Sequence, residues 1–169
     1  MPDVTVYFAK VKPDAVIPSK RDEDAGFDIY ARLDDDFLCI PPQHTALVPT
    51  GIASACPAGF YFQIQERGST GSKGLAKRCG VIDSGYRGEW FLPLTNVTDH
   101  PLYIAKPSAK AALEAKHPDG DYHAFFTDKA VVQAILLELP NAVTREVSYA
   151  ALCAMSSERG AGALGSTEK

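Results

Sequence analysis

Residues 80–90 read GVIDSGYRGEW, which sets three glycines, one aspartate and one tyrosine into an otherwise strand-like run. The branched side chains of Val81 and Ile82 favour a pleated strand, Ser84-Gly85 favours a turn, and the chain resumes extended at Trp90. We therefore predict a β-hairpin with Asp83 at its mouth. A carboxylate there can take a proton from a water or a sugar hydroxyl. Asp-Ser-Gly is also ordinary turn chemistry, so this stretch alone leaves open a tight turn with a solvated aspartate.

Four further segments accompany the hairpin in chain order. They read DAGFDI at 24–29, RGSTG at 67–71, DKAVVQAILL at 128–137 and RGAGALGST at 159–167. Together with residues 80–90, they resemble the five signature motifs of the trimeric dUTPases, the deoxyuridine 5'-triphosphate nucleotidohydrolases. Five matches in order, across nearly the whole chain, make the resemblance specific. It implies hydrolysis of dUTP to dUMP and pyrophosphate, which limits uracil incorporation into DNA and supplies the dTTP precursor.

Composition is consistent with one compact domain. The chain has 169 residues, 46% of them apolar, and no stretch long and apolar enough to cross a membrane or to act as a secretory signal. Its four cysteines are scattered without a CxxC pair, which argues against a zinc site or a disulfide framework and predicts a cytoplasmic location. The net charge of −4 argues against general nucleic-acid binding, and no membrane contact is expected.

The secondary structure predicted from the pattern is short strands separated by turns. Alternating or β-rich runs occur at 4–8, 46–49, 61–65, 90–94, 102–104 and 131–139, with 12 prolines and 13 glycines at the breaks. This pattern predicts an all-β sandwich or jelly roll. The resemblance implies a distorted jelly roll that forms a homotrimer with shared active sites, so a monomer would be inactive. We expect a β domain over 1–155 and a flexible glycine-rich C-terminal arm over 156–169.

One stretch departs from this β pattern. Residues 108–116 are rich in strong helix formers, begin with a possible N-cap at Ser108 and end before His117-Pro118. We predict a short surface helix within an insertion at about 107–127, ahead of motif four. Phage-encoded trimeric dUTPases are similar in carrying an extra segment near this place. The insertion is either a tolerated loop elaboration or a contact surface for a protein partner.

The resemblance assigns roles in the first and third motifs. Asp83 would activate the attacking water, and the Tyr86 ring would lie under the deoxyribose and exclude a 2'-hydroxyl. Uracil selectivity would rest on the substrate-binding backbone of Gly80, Val81 and Ile82. Asp28 would hold Mg²⁺ through water, since magnesium keeps most of its waters and takes phosphate and carboxylate oxygens.

The second motif departs from the family pattern. The family usually has a serine at the position of Gly68, where its hydroxyl donates to the bridging oxygen of the scissile bond. Here either Ser69 or a backbone amide would replace that donor, with Arg67 fixing the loop or reaching the phosphates. Arg67 and Ser69 are therefore catalytic candidates, and Gly68 and Thr70 are substrate-binding candidates.

The last two motifs also differ from the family. Motif four retains Gln133 as a substrate-binding candidate but has Ala130 where the family favours arginine. In motif five, Leu164 replaces an aromatic residue that would stack on uracil, and Trp90 or Phe91 is a candidate replacement. The remaining substrate-binding candidates of this arm are Arg159, Gly165, Ser166 and Thr167.

Two other functions remain open from the sequence. A dCTP deaminase relative would need a glutamate near the pyrimidine, and the glutamate of the third motif, Glu89, follows the tyrosine and is expected to point elsewhere. A catalytically weak nucleotide sensor or protein-binding member is the other alternative, because Gly68 and Leu164 replace functional residues of the family.

Overall fold

The structure, a computed structural model, describes residues 4–158 and 160. The chain divides into two units, Met1–Leu139 and Pro140–Lys169. The first unit contains the β domain. The second contains a short helix that begins after Ser148, whose hydroxyl accepts a hydrogen bond from the Ala151 N–H at 3.2 Å. None of the helices in the described residues combines the length and the apolar character needed to span a membrane.

Short strands dominate the β domain. The strands are β1 (Tyr7–Lys10), β2 (Phe27–Ile29), β3 (Phe37–Ile40), β4 (Thr45–Pro49), β5 (Ile52–Ala55), β6 (Phe60–Glu66), β7 (Leu75–Lys77), β8 (Val81–Asp83), β9 (Phe91–Asn96), β10 (Leu102–Ala105), β11 (His123–Phe126) and β12 (Val132–Glu138). The helices are α1 (Gly68–Gly71), α2 (Lys110–Lys116) and α3 (Tyr149–Cys153), with a 3₁₀ turn at Pro107–Ala109. The prediction of an all-β jelly roll with a short helical insertion is confirmed.

Four small sheets form the layers, in the orders β1-β5, β11-β10-β3, β2-β12-β6-β8 and β4-β9-β7. The four-stranded sheet carries most of the motifs. Gln133 of β12 lies opposite Asp28 on one side and opposite Gln65 on the other. Asp83 of β8 lies opposite Tyr61, four residues back along β6. Motifs one and four are therefore adjacent, while motif three lies at the far edge of the same sheet.

An aromatic cluster fills the centre of the sandwich. Trp90 and Phe62 are fully buried, with ring centroids 5.3 Å apart, and Phe8 of β1 packs on both. This edge-to-face and tilted arrangement is the geometry that aromatic quadrupoles favour. Trp90 is therefore a core residue, and the suggestion that it covers a bound base is wrong.

The predicted hairpin at residues 80–90 is only partly present. The turn forms, with the Tyr86 N–H donating to the Asp83 carbonyl at 3.0 Å. However, β8 pairs with β6, whereas β9 pairs with β4 and β7 in another sheet. The two strands separate because burial of Trp90 draws the chain toward β5, where its N–H donates to the Ile52 carbonyl at 2.9 Å.

The insertion at 107–127 contains more regular structure than a loop. The helix forms as predicted, but Pro107 begins it as a 3₁₀ turn and the Ser108 side chain caps nothing. Strand β11 was not predicted, and it pairs parallel with β10. Leu113 is fully buried in a second small core with Tyr103, so one face of the helix is apolar for a local packing reason. A protein partner at this surface stays a prediction.

Candidate active site

A narrow slot opens beside strand β8. It has a volume of about 240 Å³ and lies between the segment 79–83 and the segment 91–94 of β9. Asp83 and Tyr86 lie at its rim. Most of its exposed lining is apolar, with Ile64 and Phe91 among the contributing side chains. The slot is therefore the gap left where the two arms of the expected hairpin diverge.

The edge of β8 offers free backbone groups to this slot. Strand β8 is the terminal strand of its sheet, and the Ile64 N–H donates to the Gly80 carbonyl at 2.7 Å. Bonded and non-bonded residues alternate in an antiparallel pair, so Val81 directs its N–H and C=O away from β6. An edge strand with unpaired groups can pair with another planar donor and acceptor set. Val81 is thus the residue best placed for base recognition.

Tyr86 lies over the backbone of Gly88. Its hydroxyl donates to the Glu89 carbonyl at 2.9 Å, and its side chain is 44% exposed. A Cβ added at Gly88 would lie 2.5 Å from the Tyr86 Oη and 2.6 Å from Cζ, far inside van der Waals contact. Gly88 is therefore required for this ring position. The ring forms a fixed apolar surface beside Asp83, which is itself exposed.

Hydrogen bonds of Arg87 and Glu89 hold the turn after Asp83 rigidly. The Arg87 Nη1 donates to the carbonyls of Ser84 at 2.6 Å, Tyr86 at 2.9 Å and Ser54 at 3.3 Å. The Glu89 carboxylate accepts the Gly51 N–H at 2.8 Å, and Gly51 has a positive φ of 69°. These bonds tie the turn to β5. Arg87 and Glu89 therefore position the site and are not free for a substrate.

A second and more polar cleft collects motifs one, two and four. It has a volume of about 670 Å³, and its lining includes Asp28, Arg67 and Gln133. The Arg67 Nε lies 3.1 Å from the Asp28 Oδ1, and its Nη1 donates to the Ala130 carbonyl at 3.0 Å. The Gln133 amide donates to the Glu66 carbonyl at 2.9 Å. Arg67 therefore connects motifs one, two and four. This is the arrangement expected if Arg67 fixes the motif-two loop.

Helix α1 presents motif two to this cleft. Gly68 and Ser69 line the cleft and are exposed, and Ser69 has no side-chain hydrogen bond to another described residue. Thr70 is not brought into the cleft. It is buried, and its hydroxyl donates to the Val131 carbonyl at 2.9 Å. Thr70 thus anchors the turn on the residue that precedes β12, and the Ser69 hydroxyl is not bonded to any described residue.

Asp24 lines the same cleft and is bonded to a neighbouring arginine. The Arg21 guanidinium donates to both of its carboxylate oxygens at 2.9 Å, and these bonds hold the pKa of Asp24 below its usual value. The Arg21–Asp24 pair is open to solvent, so it adds little to the free energy of folding. Its effect is to hold the loop closed. Asp24 therefore has a structural role in the turn at the start of motif one.

Residues near Asp28 fit a magnesium ion only in part. Among residues 4–158 and 160, no group of three or more His, Cys, Asp or Glu side chains is arranged to hold a metal. Asp28 directs one oxygen to Arg67 and is partly exposed, so its other oxygen can accept hydrogen bonds from metal-bound waters. Magnesium is commonly held in this way, by substrate phosphates and waters with few protein ligands.

The two clefts share no lining residue, and they lie far apart in one chain. Asp28 and Asp83 are separated by three strand spacings across the sheet and four residues along it. With strand spacings of about 4.8 Å and a rise of about 3.4 Å per residue, the Cα atoms of the two residues lie roughly 20 Å apart.

Several lining residues were not predicted from the sequence. Among them are Cys79 in the slot, and Lys20 and Arg21 in the polar cleft. Phe91 was one of two suggested cover residues, and it is 48% exposed at the slot. The adjacent basic residues Lys20 and Arg21, just before motif one, could have been used to predict a phosphate site from the sequence. The predicted residues of the arm, which are Arg159, Leu164, Gly165, Ser166 and Thr167, lie outside the described residues.

Comparison with known proteins gives a consistent result. The sequence profile of the dUTPase family matches residues 12–112. The deoxyuridine 5'-triphosphate nucleotidohydrolase of Leptospira interrogans serovar copenhageni is 37% identical over 103 residues, which are 59% of this chain and 70% of that protein.

Solved structures agree at the level of the fold. A Staphylococcus bacteriophage 80alpha dUTPase with dUPNHPP matches with a TM-score of 0.72 at 21% identity, over 98% of this chain and 99% of that one. A mutant dUTPase from phage phi11 of S. aureus, described with a coordinated structural Mg(II) ion, matches with a TM-score of 0.63 at 19% identity. That match covers 85% of this chain and 96% of the other.

Proposed function

The chain belongs to the dUTPase family, and from this premise we propose that it hydrolyses dUTP to dUMP and pyrophosphate. The observation that carries the proposal is the slot beside β8, where an open strand edge, the Tyr86 ring and the Asp83 carboxylate meet. These are the three elements needed to bind a pyrimidine, hold its sugar and activate a water.

Base recognition uses the open edge of β8. The Val81 N–H and C=O present one donor and one acceptor, which match the O4 and N3–H pattern of uracil and mismatch the reversed pattern of cytosine. The slot between β8 and β9 is narrow, so the methyl group of thymine is excluded by contact with its walls. Phe91 covers the ring that enters the slot.

The sugar and the attacking water bind at the rim of the slot. The Tyr86 ring packs against C2' of the deoxyribose and leaves no room for a ribose hydroxyl. Asp83 accepts a proton from the water that attacks the α-phosphorus, at the contact distances of about 2.6–3.2 Å that general base catalysis needs.

The phosphates are held by motifs one, two and four. Arg67, the Ser69 hydroxyl and the first amides of α1 stabilise the charge that develops on the leaving pyrophosphate. Magnesium, when bound with the triphosphate, neutralises phosphate charge, and Asp28 orients its waters. Gln133 keeps Asp28 and Arg67 in register by its bond to the Glu66 carbonyl.

Distance requires that the site be shared between chains. Asp83 must lie one water away from the α-phosphorus, while Asp28 must lie one water away from a metal on the same triphosphate. Contacts of this length do not span the roughly 20 Å that separate the Cα atoms of Asp28 and Asp83 in one chain. We infer that Asp83 of one protomer acts with Asp28 of a neighbour, in the homotrimer implied by the family resemblance.

Subunit mixing tests the shared site. Asp83→Asn and Asp28→Asn chains, each with little activity alone, are unfolded together, refolded and assayed. Random assembly should pair intact residues in about one quarter of the sites, so activity should reappear. Mixing folded chains without exchange is the control. An active monomer in light scattering, or the absence of complementation in mixed oligomers, would contradict the shared site.

The central test is pyrophosphate release from dUTP with Mg²⁺, beside UTP, dTTP and dCTP, for wild type and Asp83→Asn. Turnover limited to dUTP and abolished by the substitution supports the proposal. Ammonia release from dCTP would support the deaminase alternative, which is disfavoured because Glu89 is occupied by the Gly51 N–H. If dUTP binds without cleavage, the sensor alternative becomes the better one, with Gly68 as its cause.

A further inference from the structure

Three cations line the polar cleft, and they differ in how their charge is used. Arg21 donates to both oxygens of Asp24. Arg67 is paired with Asp28 at 3.1 Å and also donates to the Ala130 carbonyl. Both guanidinium groups are therefore largely engaged with groups of the protein itself. The third cation is Lys20.

Lys20 forms no salt bridge with a carboxylate among the residues that the structure describes, although its charge adds to the effect of Arg21 in lowering the pKa of Asp24. Its Nζ donates to the Arg21 carbonyl at 3.1 Å and lies 5.9 Å from the centroid of the Phe27 ring. An ammonium has three N–H donors, so two remain for an anion. Glu23 also lines the cleft, but it is exposed and forms no ion pair with Lys20. The ammonium is free to bind phosphate.

The backbone fixes Lys20 beside the motif-one carboxylate. Ser19 forms an isolated β-bridge with Asp28, and the Asp28 N–H donates to the Ser19 carbonyl at 2.8 Å. Lys20 follows directly, so its Cα is held next to the strand that carries Asp28. The Lys20 ammonium lies over the Phe27 ring, and this cation–π contact favours the observed position of the ammonium.

We propose that Lys20 is a substrate-binding residue that contacts the terminal phosphates of the nucleoside triphosphate. This inference rests on the proposed function and extends it by one residue of the same site. The nucleoside monophosphate lacks the terminal phosphates, so this contact is made by the substrate and not by dUMP. Lys20 therefore contributes to the affinity for the triphosphate and leaves the affinity for dUMP unchanged.

The test compares Lys20→Gln, Lys20→Arg and the control Lys10→Gln. Lys10 is also exposed and donates from its Nζ to a backbone carbonyl, that of Pro13, but it lines neither cleft. Binding of the non-hydrolysable imido analogue of dUTP and of dUMP is measured by calorimetry on the assembled protein. Lys20→Gln should weaken binding of the imido triphosphate by about 10- to 100-fold, as expected for a charged hydrogen bond.

The other outcomes separate this inference from the proposed function. Lys20→Arg should retain most of the affinity, while dUMP binding and the melting temperature should be unchanged in every variant. If Lys20→Gln binds the imido triphosphate as wild type does, or weakens dUMP equally, the inference is overturned although dUTP hydrolysis stands. If the wild-type protein does not bind the imido analogue of dUTP, the inference about Lys20 and the proposed function are both refuted.

Discussion

Replacement of Gly68 by serine is expected to increase the rate of dUTP hydrolysis. Gly68 is exposed at the start of α1, and a Cβ added there meets no heavy atom within 4 Å. Its φ is not among the positive values of the chain, so serine fits without strain. Serine is also favoured over glycine in a helix by roughly 0.5 kcal/mol, so the folded state should not be weakened.

The gain comes from a restored hydrogen-bond donor. A hydroxyl at position 68 lies in the cleft next to Ser69 and can donate to the bridging oxygen of the scissile bond. Removal of one such donor from an enzyme typically costs about 100- to 1000-fold in kcat. Because Ser69 or a backbone amide already meets part of this need, we expect Gly68→Ser to raise kcat by about 10-fold or more, measured by pyrophosphate release.

Two neighbouring serines make the experiment decisive. Ser69→Ala removes the hydroxyl that has no other described partner, whereas Ser72→Ala removes one that donates to the Gly68 carbonyl at 2.6 Å outside the cleft. If Ser69→Ala lowers kcat and Gly68→Ser leaves it unchanged, Ser69 alone is the donor. If neither substitution changes kcat, no hydroxyl of this turn contacts the scissile bond, and the reasoning is refuted.

Three further predictions concern sugar selection, stability and pH. Gly88→Ala should displace the Tyr86 ring, raise KM for dUTP and reduce discrimination against UTP, whereas Gly85→Ala, where an added Cβ meets nothing, should change neither. Phe62→Ala should lower the free energy of unfolding by about 3–5 kcal/mol, measured with urea, because it leaves a cavity in the aromatic core. Burial and hydrogen bonding raise the pKa of Tyr103 from 10.0 to about 12, so its contribution to stability is complete below pH 10.0 and is lost as pH rises through about 12. Alkaline denaturation followed by tyrosinate absorbance should show this loss, and its absence in Tyr103→Phe would confirm the assignment.

Much of the fold was predictable because its signals are local. Alternating apolar residues at 61–65 become the central strand β6, and the helix formers of 108–116 become α2. The strand expected at 4–8 is observed at Tyr7–Lys10, because its register is set by pairing with β5. Strand β11 was missed because HAFF becomes a strand only through its parallel pairing with β10.

The site was predictable in its chemistry and not in its geometry. Asp83, Tyr86 and Gly80 lie around one slot, as the motif indicates. Trp90, ten residues beyond Gly80, goes into the core, since its side chain buries more apolar surface there than at a slot rim. The hydroxyl of Thr70 donates to the carbonyl of Val131, just before β12, and nothing in the string RGSTG distinguishes it from that of Ser69.

The amino-acid sequence by itself determined the family, the all-β class and the residue types that perform the chemistry, because motifs and alternation are properties of short segments. Only the tertiary structure decided that β8 and β9 part to form a slot, that Arg67 pairs with Asp28, and that Lys20 forms no salt bridge within the described part of the chain. It also decided that Asp28 and Asp83 lie at opposite edges of one sheet, about 20 Å apart. The reason is that strand order and register depend on pairings between distant segments, which no local pattern specifies.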